Sequence, residues 1–311
     1  MMKPLLTSNQ NTRYALILAG GDGTRLRYFT RAITGDERPK QFAPVIGEQT
    51  LLDQTRRRVR LSISEKNTFV VVTKTHEQFY QQLANNTRLL VQPENKGTAP
   101  GIIFPLLRIA AESPHATVAI FPSDHYFTDD QKFMSYVETG LETSDLNRDV
   151  VTLLGISPDA PETDLGWIEP ELLQTNRGVA PVRRFWEKPS MTVAQELMER
   201  GCLWNSFVMV GTVEAFLKMI RCALPELFSY FEALVPVFGT RDEFLNLRTL
   251  YAWLRDVNFS KEVLERSPED LRVIKVDDVG WSDLGDPLRV GAVLRTHSHN
   301  PANTYSQGSQ S

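Results

Sequence analysis

Residues 16–42 read Leu-Ile-Leu-Ala-Gly-Gly-Asp-Gly-Thr-Arg-Leu-Arg-Tyr-Phe-Thr-Arg-Ala-Ile-Thr-Gly-Asp-Glu-Arg-Pro-Lys-Gln-Phe. The apolar start continues a buried strand over 14–19. The chain then breaks into a glycine-rich turn, Gly20, Gly21, Asp22, Gly23 and Thr24, followed by Arg25 and later Lys40. Glycines have no Cβ, so such a turn can take left-handed dihedrals and let a ligand approach the backbone. Successive N–H groups there form an anion-binding concavity. With two cations downstream, the stretch suits a polyphosphate. It is not a Walker A loop, which ends Gly-Lys-Ser/Thr, since this turn ends Gly-Thr-Arg. It is not a dinucleotide fingerprint either, because Leu26 stands where the third glycine belongs. A plain strand-to-helix turn would account for the glycines alone, but not for the Arg and the Arg-Pro-Lys-Gln-Phe that follow.

Outward from this stretch, short apolar runs alternate with helical patterns. Strands are expected over 14–19, 68–73, 88–92, 117–121 and 150–156, each rich in Val, Ile, Leu or Phe, as strands covered on both faces are. The alternation implies an α/β fold with a mainly parallel sheet flanked by helices. Over 166–169, 180–187 and 205–211 mixed or antiparallel pairing is expected, and 272–276 returns to strand. Helices are read over 51–59, 102–111 and 192–200. A helical C-terminal portion follows, with Val213, Phe216, Leu217 and Ile220, then Phe244, Leu247, Tyr251 and Leu254, at the 3.6 period of core-facing stripes. In the helix over 51–59, Arg56, Arg57 and Arg58 are read as a solvated face.

The chain of 311 residues is 41% hydrophobic and 23% charged, ordinary for a globular protein. Cys202 and Cys222 are too few for a disulfide framework and are read as reduced thiols in or near the core. No apolar run approaches the roughly 20 residues of a membrane span, and residues 1–12 lack the apolar core of a signal peptide. A cytoplasmic protein with no membrane partner is expected. The net charge of −4 argues against a nucleic-acid partner. The reading divides the chain into a flexible terminus (1–12), one catalytic domain (13–295) and a disordered tail (296–311). Within the domain three portions are distinguished, 13–160, 161–211 and a helical segment over 212–295. Oligomeric state is not legible; a homodimer is left open.

Further motifs carry chemistry. Asp124, in Phe-Pro-Ser-Asp-His after a strand, can coordinate Mg²⁺, although Pro-Ser-Asp is also turn chemistry. Asp283 lies in Gly-Trp-Ser-Asp-Leu-Gly, which an anchored tight turn would equally explain. The segment 92–100, Gln-Pro-Glu-Asn-Lys-Gly-Thr-Ala-Pro, opens a helix whose free N–H groups and amide side chains can meet a phosphate and a base edge.

Together these stretches resemble the sugar-nucleotide pyrophosphorylases, whose signature is L-A-G-G-x-G-T-R-L followed by P-K. Pro39-Lys40-Gln41-Phe42 resembles the mannose-1-phosphate guanylyltransferases among them. The resemblance spans roughly residues 13 to 290 and implies a Rossmann-like nucleotide-diphospho-sugar transferase fold. It implies that Asp124 and Asp283 are ligands of a Mg²⁺ cofactor. It places nucleotide contacts at Ala19, Gly20, Gly21, Gly23, Thr24, Arg25, Lys40, Gln92, Asn95, Gly97, Thr98 and Asp124. The sugar phosphate then falls to Gly166, in Leu-Gly-Trp-Ile, Glu187 and Lys188, in Phe-Trp-Glu-Lys-Pro, and Asn205, in Trp-Asn-Ser. The reaction implied is attack of mannose 1-phosphate on the α-phosphorus of GTP with release of pyrophosphate, with Arg25, Lys40, Asp124 and Asp283 as catalytic residues. Alternatives are another sugar 1-phosphate or nucleotide, since Lys96-Gly97 replaces the family's Arg-Asn, or a non-catalytic subunit that binds a GDP-sugar. The spacing between Arg25 and Lys40 is longer than the family's, and a mobile lid over the triphosphate is expected there.

Overall fold

The computed structural model of the protein describes residues 12–84, 86–171 and 178–298. The expectations for residues 1–11 and for 299–311 lie outside the described residues; the last helix, Pro287–Ser298, runs into the start of the anticipated tail. The strands are β1 Arg13–Leu18, β2 Thr68–Thr73, β3 Arg88–Gln92, β4 Thr117–Pro122, β5 Val151–Ile156, β6 Gly166–Pro170, β7 Val179–Glu187, β8 Leu203–Thr212 and β9 Leu271–Val276. They form a single sheet in the order β3-β2-β1-β4-β8-β5-β9-β7-β6.

The first half of the sheet is parallel. Leu16 lies opposite Phe69 of β2 and Ile120 of β4, and Val71 opposite Leu90 of β3. Strand β8 enters antiparallel between β4 and β5, and β5 pairs parallel with β9. The antiparallel pairing expected in the middle is present in β6 with β7 and in β7 with β9. Strand β6 also pairs with β8, so the second half of the sheet closes on itself. Because β1 to β4 run parallel, their carboxyl ends open on one edge, where ligands of open α/β sheets bind.

Side chains alternate across the sheet with the period of two that strands impose. Leu16, Phe69, Val71, Val118 and Ile120 point into one layer, beneath helices Thr98–Glu112, Val213–Ala223, Pro225–Glu232 and Glu243–Tyr251. Ile17, Val70, Val72, Ala119 and Phe121 point into the other, beneath Leu51–Val59, Asp130–Leu146 and Met191–Glu199. A third small cluster joins Leu26, Ala43, Val45, Ile46 and Leu51 to Tyr126, Leu284 and Val290. It packs the glycine-loop region against the chain's C-terminal segment. Among the described residues no helix is long and apolar enough to cross a membrane.

Two readings need correction. Of the three arginines in helix Leu51–Val59, only Arg57 is solvated. Arg58 is buried: its Nε donates to Asp130 Oδ1 at 2.5 Å, and its guanidinium lies 4.5 Å from the centre of the Phe127 ring. Helix Asp130–Leu146 packs against this face, and periodicity within 51–59 could not reveal a partner so distant in sequence. Cys202 is buried but Cys222 is exposed; both are free thiols. Between Arg25 and Lys40, where a lid is expected, the stretch carries regular structure. Residues Arg27–Thr34 form a helix ended by Gly35 in the left-handed conformation. Arg38 then clamps Asp36 through paired bonds of 2.7 Å.

Removing one partner of a buried ion pair leaves an uncompensated charge. Asp130→Ala is therefore expected to destabilise the fold by about 3 kcal/mol, measured by urea unfolding. Replacing Arg58 and Asp130 together by apolar residues should recover much of that loss.

Candidate active site

The glycine loop leaves the end of β1 and is held from below. Ala19 N donates to Val71 O at 2.8 Å, and Thr73 Oγ1 donates to Gly20 O at 2.9 Å. The buried amide of Gln41 donates to Ala19 O at 3.0 Å and to Gly21 O at 2.7 Å. Gly23 has a φ of +59°, and a Cβ there would lie 3.0 Å from Lys40 N and 3.1 Å from Pro39 Cα. Glycine is needed at this position on both counts. The loop and the Pro-Lys-Gln segment are thus one packed unit.

Asp124 and Asp283, 159 residues apart by 283 − 124, meet through an antiparallel bridge. Tyr126 N donates to Ser282 O at 2.9 Å and Ser282 N to Tyr126 O at 3.0 Å. The register sets His125 beside Asp283 and Asp124 beside Leu284. Lys40 Nζ caps the pair. It donates to the Asp283 carbonyl at 2.6 Å and the Leu284 carbonyl at 3.1 Å, and lies 3.2 Å from Asp124 Oδ2. Leu284 is one of the few non-glycine residues at positive φ (+48°), as are Lys188 and Phe207. Such strain concentrates at functional sites.

Asp283 is nearly buried. Its Oδ1 accepts from Arg289 Nη1 at 2.6 Å and from Gly285 N at 3.1 Å. Burial raises its pKa, but the neighbouring positive charges outweigh this and hold it below the usual carboxylate value. His125 contributes only where it is protonated, and burial pushes its own pKa down to about 4. At neutral pH the supporting cations are therefore Arg289 and Lys40. Arg289 also bonds Glu162 and lies 3.2 Å from Asp286. It was not singled out in the sequence, where nothing marks one Arg on a terminal helix.

A cavity of about 280 Å³ opens beside Asp124. Gly20, Gly21, Gln92, Asn95, Gly97, Thr98 and Asp124, all expected to contact nucleotide, line it. The segment after β3 is pinned from the helical block. Ala99 N donates to Val257 O at 3.0 Å, Val257 N to Lys96 O at 3.0 Å, and Phe259 N to Thr98 Oγ1 at 2.8 Å. Gly97 sits at φ +84°, where a Cβ would collide with the Val257 carbonyl. Packing of this segment thus accounts for glycine at a position where the resemblance led one to look for asparagine. Ala19, Gly23, Thr24, Arg25 and Lys40, also expected to contact nucleotide, do not line this cavity.

The other predicted residues lie farther along the sheet. Gly166 pairs with Glu187 across β6 and β7, and Glu187 Oε2 would be 3.1 Å from a Cβ on Gly166. Burial raises the pKa of Glu187, opposed by a hydrogen bond from Asn258. Asn205 is buried, and its Oδ1 accepts from Phe207 N at 3.0 Å, which supports the strained Phe207 beside the cavity. Arg25 is exposed and lies 3.0 Å from Asp164 Oδ2. It faces the loop before β6 rather than the carboxylates.

A nucleotidyl transferase family profile matches residues 14–290. The chain belongs to the nucleotidyl transferase family. It is 28% identical over 278 residues to the xanthan biosynthesis protein XanB of Xanthomonas campestris pv. campestris, covering 87% of this chain and 57% of that protein. It is 26% identical over 282 residues to a mannose-1-phosphate guanylyltransferase of Klebsiella pneumoniae, again over 87% of this chain and 57% of the relative. The chain thus spans a little over half the length of these relatives. Its fold matches the crystal structure of a mannose-1-phosphate geranyltransferase from Thermus thermophilus, with TM-score 0.77, 28% identity, and 88% and 76% of the two chains covered.

In this nucleotidyl transferase domain the bracing residues are Gln41, Arg289, Trp281, His76, 3.2 Å from Asp22 Oδ1, and Tyr251, whose hydroxyl donates to Gln92 Oε1 at 2.9 Å. His76, Tyr251 and Arg289 lie outside the short motifs, whereas Gln41 and Trp281 stand within them. Trp281 Nε1 donates to His125 Nδ1 at 3.2 Å, so the neutral ring carries its proton on Nε2. This buried histidine gives a pH prediction. Its folded pKa of about 4 lies below the ordinary 6.5, so between those values the unfolded chain binds a proton that the folded one excludes. Its contribution is complete above pH 6.5 and falls away towards pH 4, by about 3 kcal/mol in all. Urea unfolding of metal-free protein should follow this fall, and His125→Gln should flatten it.

Proposed function

We propose that the protein transfers a guanylyl group from GTP to mannose 1-phosphate, releasing pyrophosphate and forming GDP-mannose. The observation that carries this reading is the bridge of Tyr126 to Ser282, which brings Asp283 and Lys40 to Asp124, a residue lining the cavity beside the glycine loop. The names of the relatives supply the substrates. A sugar phosphate oxygen would form the new bond to the α-phosphorus as the bond to the β-phosphate oxygen breaks. The nucleophile is already anionic, so no general base is required; positioning and charge stabilisation carry the rate.

The donor set fits Mg²⁺. Asp124 and Asp283 offer oxygens only, and Mg²⁺ is held by one or two carboxylates plus substrate phosphates. Among the described residues no group of three or more His, Cys, Asp or Glu could hold a metal alone, so the phosphates would complete the shell. Held by Asp124 and Asp283, such an ion would supply positive charge to offset that of the substrate phosphates. Asp283 Oδ1 is taken by Arg289 and Gly285 N, which leaves Oδ2 as its open oxygen. Lys40 already points three contacts at Asp124 and two carbonyls, and an ammonium has three donors. Binding phosphate would exchange its contact with Asp124. The exposed pair of Arg25 with Asp164 is worth at most about 1 kcal/mol, so Arg25 is free to swing onto the triphosphate.

The reading is tested with a panel of nucleoside triphosphates against sugar 1-phosphates, following pyrophosphate release with and without Mg²⁺. GTP with mannose 1-phosphate and Mg²⁺ should give the highest kcat/KM, and chelation should abolish turnover. A different preferred pair would replace the substrates named here. Tight GDP-mannose binding without turnover of any pair would instead mark a non-catalytic binding protein. Arg25→Ala should lower kcat by about 10² to 10³, the size of a lost preorganised charge-stabilising donor. Near-normal turnover at saturating substrate would remove Arg25 from the reaction.

A further inference from the structure

Two amide side chains border the cavity at the end of β3, and they are in different states. Asn95 is occupied at both ends: its Nδ2 donates to Asp22 Oδ2 at 2.8 Å, and its Oδ1 accepts from Gly97 N at 3.1 Å. Asp22 is itself 3.2 Å from His76 Nε2. Asn95 is therefore a strap between the glycine loop and the 92–100 segment, with its orientation set by those two bonds and one amide hydrogen left over. Gln92 differs. It is almost fully buried, and its Oε1 accepts from the hydroxyl of Tyr251 at 2.9 Å. Its Nε2 bonds to no protein group among the described residues. That atom lies where a Cβ on Gly20 would sit 2.9 Å away, and Gln92 lines the cavity.

Tyr251 fixes which end of the amide faces the cavity. The phenol is fully buried, its pKa is pushed up by burial alone, and Gln92 is its acceptor. If the amide turned over, the hydroxyl would receive a donor and its own proton would lose its acceptor. Leaving a buried donor unsatisfied costs the full desolvation of that group. The oxygen is thereby held on Tyr251 and the N–H₂ is held towards the ligand.

From this geometry we infer that Tyr251, through Gln92, is a specificity-determining positioning residue that makes the cavity select a base presenting a carbonyl oxygen and reject one presenting an amino group. Guanine offers acceptors along its O6 and N7 edge, whereas adenine places a donor at the same exocyclic position. A fixed donor meeting that amino group leaves both unpaired. Tyr251 touches no substrate; it acts by holding Gln92. This inference rests on the nucleotide reading given above and deepens it from a named triphosphate to the group that is read.

The experiment measures affinities of GTP, ITP and ATP for the full chain by competition, alongside KM and kcat with mannose 1-phosphate. Inosine keeps the carbonyl of guanine and lacks its amino group. Wild type should bind GTP and ITP alike and ATP roughly 3- to 10-fold or more weaker, the size of one net hydrogen bond. Tyr251→Phe keeps the ring and removes the hydroxyl. It should narrow the ITP-to-ATP ratio severalfold with KM for mannose 1-phosphate unchanged, a split that general loosening of the fold would not give. Gln92→Glu keeps an oxygen for Tyr251 and presents an acceptor instead of a donor. Its added charge affects all three triphosphates alike, so the ratio remains readable, and it should abolish or invert the preference even if Tyr251→Phe fails to fold. Wild type that turns over but binds ATP as well as ITP overturns the inference alone. So does an unchanged ratio in either folded variant. Wild type that binds none of the three overturns the proposed function along with it.

Discussion

Lys40 is the contact on which the rest of the site depends. Its ammonium reaches the Asp283 and Leu284 carbonyls and the Asp124 carboxylate at once. Its backbone nitrogen lies against Gly23 of the glycine loop. One residue therefore ties the loop after β1, the loop after β4 and the turn after β9. A point charge with three rotatable donors can do this where a planar guanidinium could not satisfy three separated oxygens as well. The bridge of Tyr126 to Ser282 and the small cluster around Leu26, Tyr126 and Leu284 hold the same three pieces by backbone pairing and apolar packing.

Around that contact the polar groups divide into those occupied by the protein and those left open. Asn95, Gln41 and Arg289 are occupied: they brace the loops and offset charge. Gln92 Nε2 remains open beside the cavity, Asp283 Oδ2 has no hydrogen bond among the described residues, and the pair of Arg25 with Asp164 is exposed and weak. Few polar atoms around Lys40 are left open in this way. Many more residues restrict those atoms to one arrangement, which is what preorganisation against a developing charge requires. The helical block over 213–263 takes part in this, since Tyr251 and Val257 reach back to the segment after β3.

Much of the molecule was legible in the chain. The strands fall where apolar runs of strand length predict them, because period and composition are local properties that packing on both faces of a sheet preserves. The glycine loop was legible because its residues are constrained by their own backbone. Gly23 needs a left-handed φ whatever lies around it, although its contact with Lys40 was not visible. The Arg56–Arg58 reading failed for the opposite reason. A run of arginines on a helix is ordinarily solvated, and what buries Arg58 is Asp130, on a helix that the sequence reading had not singled out. Asn95 and Gln92 looked alike as sequence, two amides in one segment. Their partners, Asp22 and Tyr251, lie 73 and 159 residues away.

By itself the sequence determined the class of fold, the order of its strands along the chain, the glycine turn, and the residue types able to handle phosphate. Each is set within a few residues by dihedral freedom, apolar periodicity or side-chain chemistry. Only the tertiary structure decided that Asp124 and Asp283 share one site, that Lys40 stands between them, and which amide nitrogen is left unpaired at the cavity. These are contacts between distant segments, fixed by sheet order, a bridge register and the burial of partners, and no local pattern encodes them.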